Sequence, residues 1–337
     1  MKLSSFLNGS TGGRLPTFLF AFALFLLLAT PDWPDPAPAP VGALVSALDA
    51  EPVAFDREGL GRDRAGALRF LGGWSLTSGD PRFGGISSLH VENGWATATS
   101  DAGSLIRFPV PGTAGASRVR IDPIVQGPGR GTRKSDRDAE GMFLSGADAW
   151  VLFESPRQIW RYDRATWRAQ ASAAPRGMRR WTRAWGAEAI VRLADGRFLI
   201  FSEMASGEPG LARAMLFGGD PALPTTPSAP VSYRAPEGFR ATDAALLPDG
   251  RLLVLNRRFN WLEGVGAALV LIDPRTIRPG AVLEGGEIAR LQWPFVVDNM
   301  EGLSVTREGG RTIVWLVSDD NFNPVQRTLL LKFVLAE

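Results

Sequence analysis

Asp298-Asn299-Met300-Glu301-Gly302-Leu303, answered after a turn by Ile313-Val314-Trp315-Leu316-Val317-Ser318-Asp319-Asp320, is one copy of a unit that recurs along the chain. A small acidic or glycine dipeptide opens a short apolar run, and a second, stronger apolar run ends in Ser, Glu or Asp, or in one copy Asn. Runs of this length, rich in β-branched and aromatic residues, read as strands. Four more copies precede it. Phe83-Gly84-Gly85-Ile86 leads to Trp95-Ala96-Thr97-Ala98-Thr99-Ser100-Asp101, and Ala139-Glu140-Gly141-Met142 leads to Trp150-Val151-Leu152-Phe153-Glu154. Ala187-Glu188-Ala189-Ile190 is followed by Arg197-Phe198-Leu199-Ile200-Phe201-Ser202-Glu203, and Thr242-Asp243-Ala244-Ala245-Leu246 by Arg251-Leu252-Leu253-Val254-Leu255-Asn256. Anchored at Gly85, Glu140, Glu188, Asp243 and Glu301, the copies lie 55, 48, 55 and 58 residues apart.

The turns inside the units fit hairpins. Asn93-Gly94, Asp195-Gly196 and Asp249-Gly250 each separate two apolar runs, and these dipeptides favour the tight turns that join antiparallel strands. No stretch carries the period of a long amphipathic helix. Repeated antiparallel units of about 50 residues predict an all-β fold, a β-propeller over residues 45–337. Length at that period predicts six blades. The sixth is expected to combine Leu68–Trp74 with the last strand, Thr328–Leu335, so that mixed termini close the ring and leave no open sheet edge.

The segments Asp138-Ala139-Glu140-Gly141, Asp298–Leu303, Ser318-Asp319-Asp320-Asn321-Phe322 and Gln326-Arg327-Thr328-Leu329-Leu330 resemble the phytase-like family, described by its esterase-like activity. The resemblance spans most of residues 50–336. It implies an exported bacterial propeller and hydrolysis of phosphate or related esters.

Composition narrows the chemistry. The chain has no cysteine and one histidine, His90, which excludes disulfides, thiolate metal sites, multi-histidine centres and cysteine nucleophiles. Any serine–histidine mechanism would run through His90. Its neighbour Ser88 shares one strand face with it, but a packed strand histidine is the simpler reading. There is no Gly-x-Ser-x-Gly elbow and no dinucleotide fingerprint. With 37 basic and 35 acidic residues, charge gives no ground for nucleic-acid binding. Arginine outnumbers lysine 34 to 3, a bias for which codon usage in a GC-rich genome is the simpler reading and selection for bidentate anion binding the functional one.

Lys2 and Arg14 precede the apolar run Leu15–Ala29, so residues 1–30 read as a secretory signal sequence or an uncleaved anchor. Residues 31–44 form a proline-rich linker. A periplasmic or secreted location follows, with membrane attachment only through a retained leader.

Ring symmetry carries the opening dipeptides to one channel mouth. Glu140, Glu188, Asp243 and Glu301 are therefore expected to converge there, joined by Asp101, Asp319 and Asp320 from the ends of the second strands; Glu154, Glu203 and Asn256 fall at the same strand ends. Oxygen-only donors favour a hard divalent ion, calcium before magnesium. Glu140, Glu188 and Glu301 are the candidate catalytic carboxylates. Arg130, Arg133, Lys134 and Arg137 of a glycine-rich loop, with Arg257, Arg258 and Arg327, are candidates for holding a small anionic ester. The alternatives are a monomeric metal-dependent ester hydrolase and a non-catalytic propeller that binds a ligand or partner at the same face. The eleven tryptophans, among them Trp74, Trp95, Trp150, Trp160 and Trp315, are expected between blades, and Trp181, Trp185 and Trp261, in looser sequence, are candidates for lining a ligand platform.

Overall fold

The computed structural model describes residues 44–112, 117–129, 136–154, 156–181, 186–205, 210–260 and 264–336. The expected leader, the expected proline-rich linker up to residue 43, Arg130, Arg133, Lys134, Trp185 and Trp261 lie outside the described residues. The first strands among the described residues are β1 (Leu44–Pro52), β2 (Arg64–Ala65) and β3 (Leu68–Ser78). The first sheet is β4 (Ile86–Glu92), β5 (Trp95–Ser100), β6 (Ser104–Pro109) and β7 (Arg118–Pro123). The second is β8 (Ala139–Ser145), β9 (Asp148–Phe153), β10 (Gln158–Asp163) and β11 (Ala169–Ala173). The third holds β12 (Ala187–Arg192), β13 (Phe198–Ala205), β14 (Leu211–Phe217) and β15 (Ser228–Arg234). The fourth holds β16 (Arg240–Leu246), β17 (Leu252–Asn260) and β18 (Gly264–Ile272); after β19 (Val282–Leu283), which pairs parallel to β15, it is completed by β20 (Gly286–Leu291). The fifth is β21 (Met300–Glu308), β22 (Arg311–Ser318) and β23 (Thr328–Leu335), finished by β3 from the other end of the chain.

The expected mixing of termini is present, with Leu330 opposite Trp74 and Leu335 opposite Leu68. It completes the fifth sheet and does not make a sixth. Among the described residues there are five such sheets. The remaining length lies in connections and short edge strands such as β1, which pairs with both β3 and β7 and so joins the outer edges of the fifth and first sheets.

The cores show that the ring is closed. The innermost strands pack in the order β4, β8, β12, β16, β21, and β21 returns to β4. Five separate apolar clusters fill the five junctions. Leu105 and Ile124 meet Met142, Val151 and Phe153 between sheets one and two, and Trp150, Leu152 and Ile159 meet Ile190, Phe198 and Ile200 between two and three. Phe201 and Leu216 meet Val254 and Val270 between three and four. Leu253, Leu255 and Leu269 meet Leu303, Leu316 and Leu331 between four and five, and Trp315, Val317 and Leu330 meet Ile86, Leu89 and Ile106 across the last junction. Each sheet is buried on both faces, so its strands are apolar almost throughout rather than alternating.

Local chemistry follows the sequence closely. Asn93 and Gly94 both adopt positive φ, 51° and 78°, the pair that a two-residue hairpin turn demands. Of the tryptophans, Trp150 and Trp315 lie in the junctions as expected, whereas Trp95 is exposed. Trp181 is buried in the junction between sheets two and three and offers no open platform.

Candidate functional site

Each first-to-second strand pair contains a register shift near its start. Ile86 faces Ser100 but Ser88 faces Thr99; Ala139 faces Phe153 but Gly141 faces Leu152. The same slip occurs at Ala187/Ala189, Ala241/Asp243 and Met300/Gly302. One residue per sheet is thus left over in a bulge, and bulges re-aim side chains. The five bulged residues are Ser87, Glu140, Glu188, Thr242 and Glu301. Position by position, the residues two before the bulge are Gly85, Asp138, Gly186, Arg240 and Asn299, and those just past the facing residue on the second strand are Asp101, Glu154, Glu203, Arg257 and Asp319. Fivefold repetition brings these three sets to one end of the ring.

Glu140, Glu188 and Glu301 come together there as expected and feel one another's charge. Burial raises the Glu140 pKa well above the ordinary value, and the nearby Asp138, Glu188, Glu301 and Glu154 raise it further. Glu188 is raised first by burial and then by Glu203, Glu154 and Glu301, with Arg257 opposing. Glu154 is pushed up to about 7 by burial and by Asp138, with which it shares a hydrogen bond, while the Gly186 N–H donates to its Oε1 at 3.0 Å and pulls the other way. Carboxylates crowded in this way hold protons unless a cation takes their place.

The tightest group is in the second sheet. One carboxylate oxygen each from Asp138, Glu140 and Glu154 lies within 4.8 Å of the others. Oxygens up to about 5 Å apart can share one calcium ion, whose ligands sit roughly 2.3–2.6 Å from it. The donor set is all-oxygen and partly open to solvent, so these residues fit a hard divalent ion. Asp138 was not among the expected ligands. Its signal was present in the sequence, because Asp138 and Glu140 are two apart and strand alternation can give them one face.

The opposite side of the mouth is neutralised from within. Arg257 Nη2 donates to Glu203 Oε1 at 2.8 Å, Nη1 donates to Asn299 Oδ1 at 2.8 Å, and Nε lies 3.4 Å from Glu301 Oε1. Asn299 Nδ2 donates to the same Glu301 oxygen at 2.8 Å, and Arg240 stands 3.6 Å from Glu203. Burial pushes Glu301 up to about 7, and Arg257 restrains the rise.

Several expected roles are corrected. Asp243 is not the counterpart of Glu140; Thr242 is. Asp243 is 2% exposed and accepts hydrogen bonds from the N–H groups of Ala244 (2.8 Å) and Leu303 (2.7 Å), tying β16 to β21. The bulged hydroxyls act similarly: Ser87 donates to the Ala139 carbonyl and Thr242 to that of Met300 at 3.1 Å. Asn256 is fully buried, bonded to the Tyr233 hydroxyl, and Arg257 occupies the strand-end position in its place. Asp320 accepts from the N–H groups of Gly85 (2.8 Å) and Phe322 (3.0 Å) and from the Thr328 hydroxyl (3.1 Å), a loop-fixing role. Asp101 and Asp319 do occupy the strand-end set, and Asp319 is raised by burial and by Glu301, Asp101 and Asp320.

The arginines fare differently again. Arg137 donates to the Val125 carbonyl at 3.0 Å and packs beneath Gly127. Arg258 stacks 4.7 Å from the Phe239 ring centre and reaches Gln292 at 3.2 Å, and Arg327 lies 3.4 Å from Asp298. Of the described candidates only Arg257 enters the mouth. Ser88 pairs with the Thr99 hydroxyl rather than with His90, so no Ser–His dyad forms.

A family model described as "Phytase-like: Esterase-like activity of phytase" matches residues 81–322, a span from the loop before β4 to the loop after β22. No curated protein matches. Among solved structures, a putative exported protein from Bacteroides fragilis is similar at 10% identity with a TM-score of 0.40, covering 84% of this chain and 98% of that one. The N-terminal domain of Nup159 is similar at 9% identity with a TM-score of 0.36, covering 80% and 74%.

Proposed function

The chain belongs to the phytase-like family with esterase-like activity, and on that premise we propose that it is an exported hydrolase of phosphate or related esters, acting as a monomer on a small anionic substrate with a divalent cation, calcium before magnesium, at the ring mouth. The observation that carries this reading is the approach of the Asp138, Glu140 and Glu154 oxygens to within 4.8 Å of one another. Those three residues would hold the ion. Bound there, a divalent cation would polarise an ester oxygen and acidify water. Glu188, beside this group and held well above the ordinary glutamate range by burial and by its acidic neighbours, would be the group that takes up and returns a proton. Among the described residues no helix is long and apolar enough to cross a membrane; export rests on the basic, apolar leader.

The test is hydrolysis of a generic aryl phosphate and an aryl ester after chelation, with calcium, magnesium or manganese restored. Metal-restored turnover that falls by about 10²-fold or more in Glu188→Gln is expected. Turnover indifferent to chelator and to this change would overturn the reading.

One observation favours the second reading, a non-catalytic cation-binding ring. Arg137, Arg257, Arg258 and Arg327 are all engaged by protein groups. A protein that binds calcium at the mouth yet turns over neither substrate with any of the three metals would support it.

A further inference from the structure

The three equivalent sets of positions are not filled evenly, and the exception has a consequence for how many ions the mouth accepts. At the strand-end position four sheets place an acid, Asp101, Glu154, Glu203 or Asp319, and the fourth sheet places Arg257. The Asp138, Glu140 and Glu154 oxygens lie within 4.8 Å of one another, whereas Glu203 and Glu301 have Arg257 between them. The guanidinium does there what a metal ion would do. It sits among carboxylate oxygens of two sheets and the Asn299 amide oxygen, and it joins the third, fourth and fifth sheets through one charged group.

We infer that Arg257 is a resident cation that fills the Glu203–Glu301 side of the mouth, restricting divalent-ion binding to a single ion on the Asp138–Glu140–Glu154 side. Arg257 is a positioning residue in this role. Its planar fork reaches Glu203 and Asn299 at once and leaves Nε toward Glu301, an arrangement that a lysine ammonium cannot reproduce. Removing it, with the half-exposed Arg240 still 3.6 Å from Glu203, leaves Glu203 and Glu301, 7% and 8% exposed, as two buried carboxylates beside an amide oxygen. That is an all-oxygen donor set of the kind a hard cation takes. The inference rests on the proposed cation at the second sheet for the count in the native protein, but the Arg257 side can be tested separately.

The experiment is calcium titration by calorimetry, with thermal melting in chelator and in calcium, on the full chain and on Arg257→Gln and Arg257→Lys. One ion per chain is expected in the native protein and in Arg257→Lys, and two in Arg257→Gln. In chelator Arg257→Gln is expected to melt below the native protein, and calcium is expected to recover most of the difference. If Arg257→Gln folds only when calcium is present, the inference is likewise supported. An Arg257→Gln protein that still binds one ion overturns it, as does one that remains unfolded whether or not calcium is added. A native protein that binds none would sink the proposed second-sheet ion instead, and a single ion appearing only in Arg257→Gln would then still support the role of Arg257.

Discussion

Replacing Glu154 with glutamine changes one atom type at the point where the mouth is most crowded, and the effect on stability should change sign with calcium. In the native protein Glu154 is pushed from the ordinary glutamate value of 4.5 up to about 7. At one pKa unit per ~1.4 kcal/mol, keeping it ionised at pH 8 costs about 3 kcal/mol, and roughly 2 once partial solvent exposure is allowed for. Glutamine keeps an oxygen for the Gly186 N–H, gains N–H donors for Asp138, and carries no charge. In chelator at pH 8, Glu154→Gln should therefore melt higher than the native protein, by about 4 °C at roughly 2 °C per kcal/mol. With calcium at about 100 times its dissociation constant the native protein gains ~2.7 kcal/mol. A variant binding ~100-fold more weakly gains only ~0.4 kcal/mol at the same concentration, so the order of melting temperatures should narrow or reverse. Differential scanning calorimetry in the two buffers reads both effects. A variant that melts below the native protein in chelator, or whose calcium shift is undiminished, would refute the placement of Glu154 in a repulsive, cation-binding cluster.

Other consequences can be measured alongside. Glu154 and Glu301 both titrate near 7 when folded and near 4.5 when unfolded, so the stability their protonated forms confer is fully present below about pH 4.5 and lost as pH rises through 7. Metal-free protein should thus melt lower at pH 8 than at pH 5.5, and calcium should stabilise more at pH 8; an equal calcium shift at both values would contradict this. His90 acts in the opposite direction: burial and the nearby Arg164 lower its pKa, so it takes stability away as pH falls below 6.5, and His90→Gln should enlarge the advantage of pH 5.5 over pH 8. Asp243→Ala should cost about 2–4 kcal/mol in denaturant unfolding, because it strands the buried Leu303 and Ala244 N–H groups. Asp243→Asn should cost less, and neither should alter calcium stoichiometry; a lost ion in either variant would restore Asp243 to the ligand set.

The architecture was legible because its signal is repeated five times, and each copy corrects noise in the others. The number of sheets was not. The unit spacings of 48–58 residues measure strand content plus connections, and the chain spends length on pieces that pair at outer edges, such as β1 and β19. The terminal segments looked like a sixth sheet only because β3 is far in sequence from β21 and β22, whose sheet it completes.

In the fourth sheet the sequence reading of the ring was off by one residue, and that residue mattered. Aligning acid with acid matched Asp243 to Glu140, whereas aligning the buried small or apolar residue before the bulge (Ile86, Ala139, Ala187, Ala241 and Met300) gives the true register and puts Thr242 and Arg257 in the ring. An extra residue in a strand flips every side chain after it to the other face, so a one-position error exchanges a mouth residue for an inter-sheet latch. The burial data agree with this register: Asp243 is sealed between β16 and β21, while Glu140 keeps contact with solvent. What the scaffold repeats is backbone. The chemistry lies where the side chains depart from the repeat, with three clustered acids in the second sheet, hydroxyls in the first and fourth, and a guanidinium where the pattern calls for a carboxylate. Fivefold symmetry alone would give a ring of equal charges that repel one another. Breaking it with Arg257 settles one side, and the proposed cation would settle the other, at Asp138, Glu140 and Glu154.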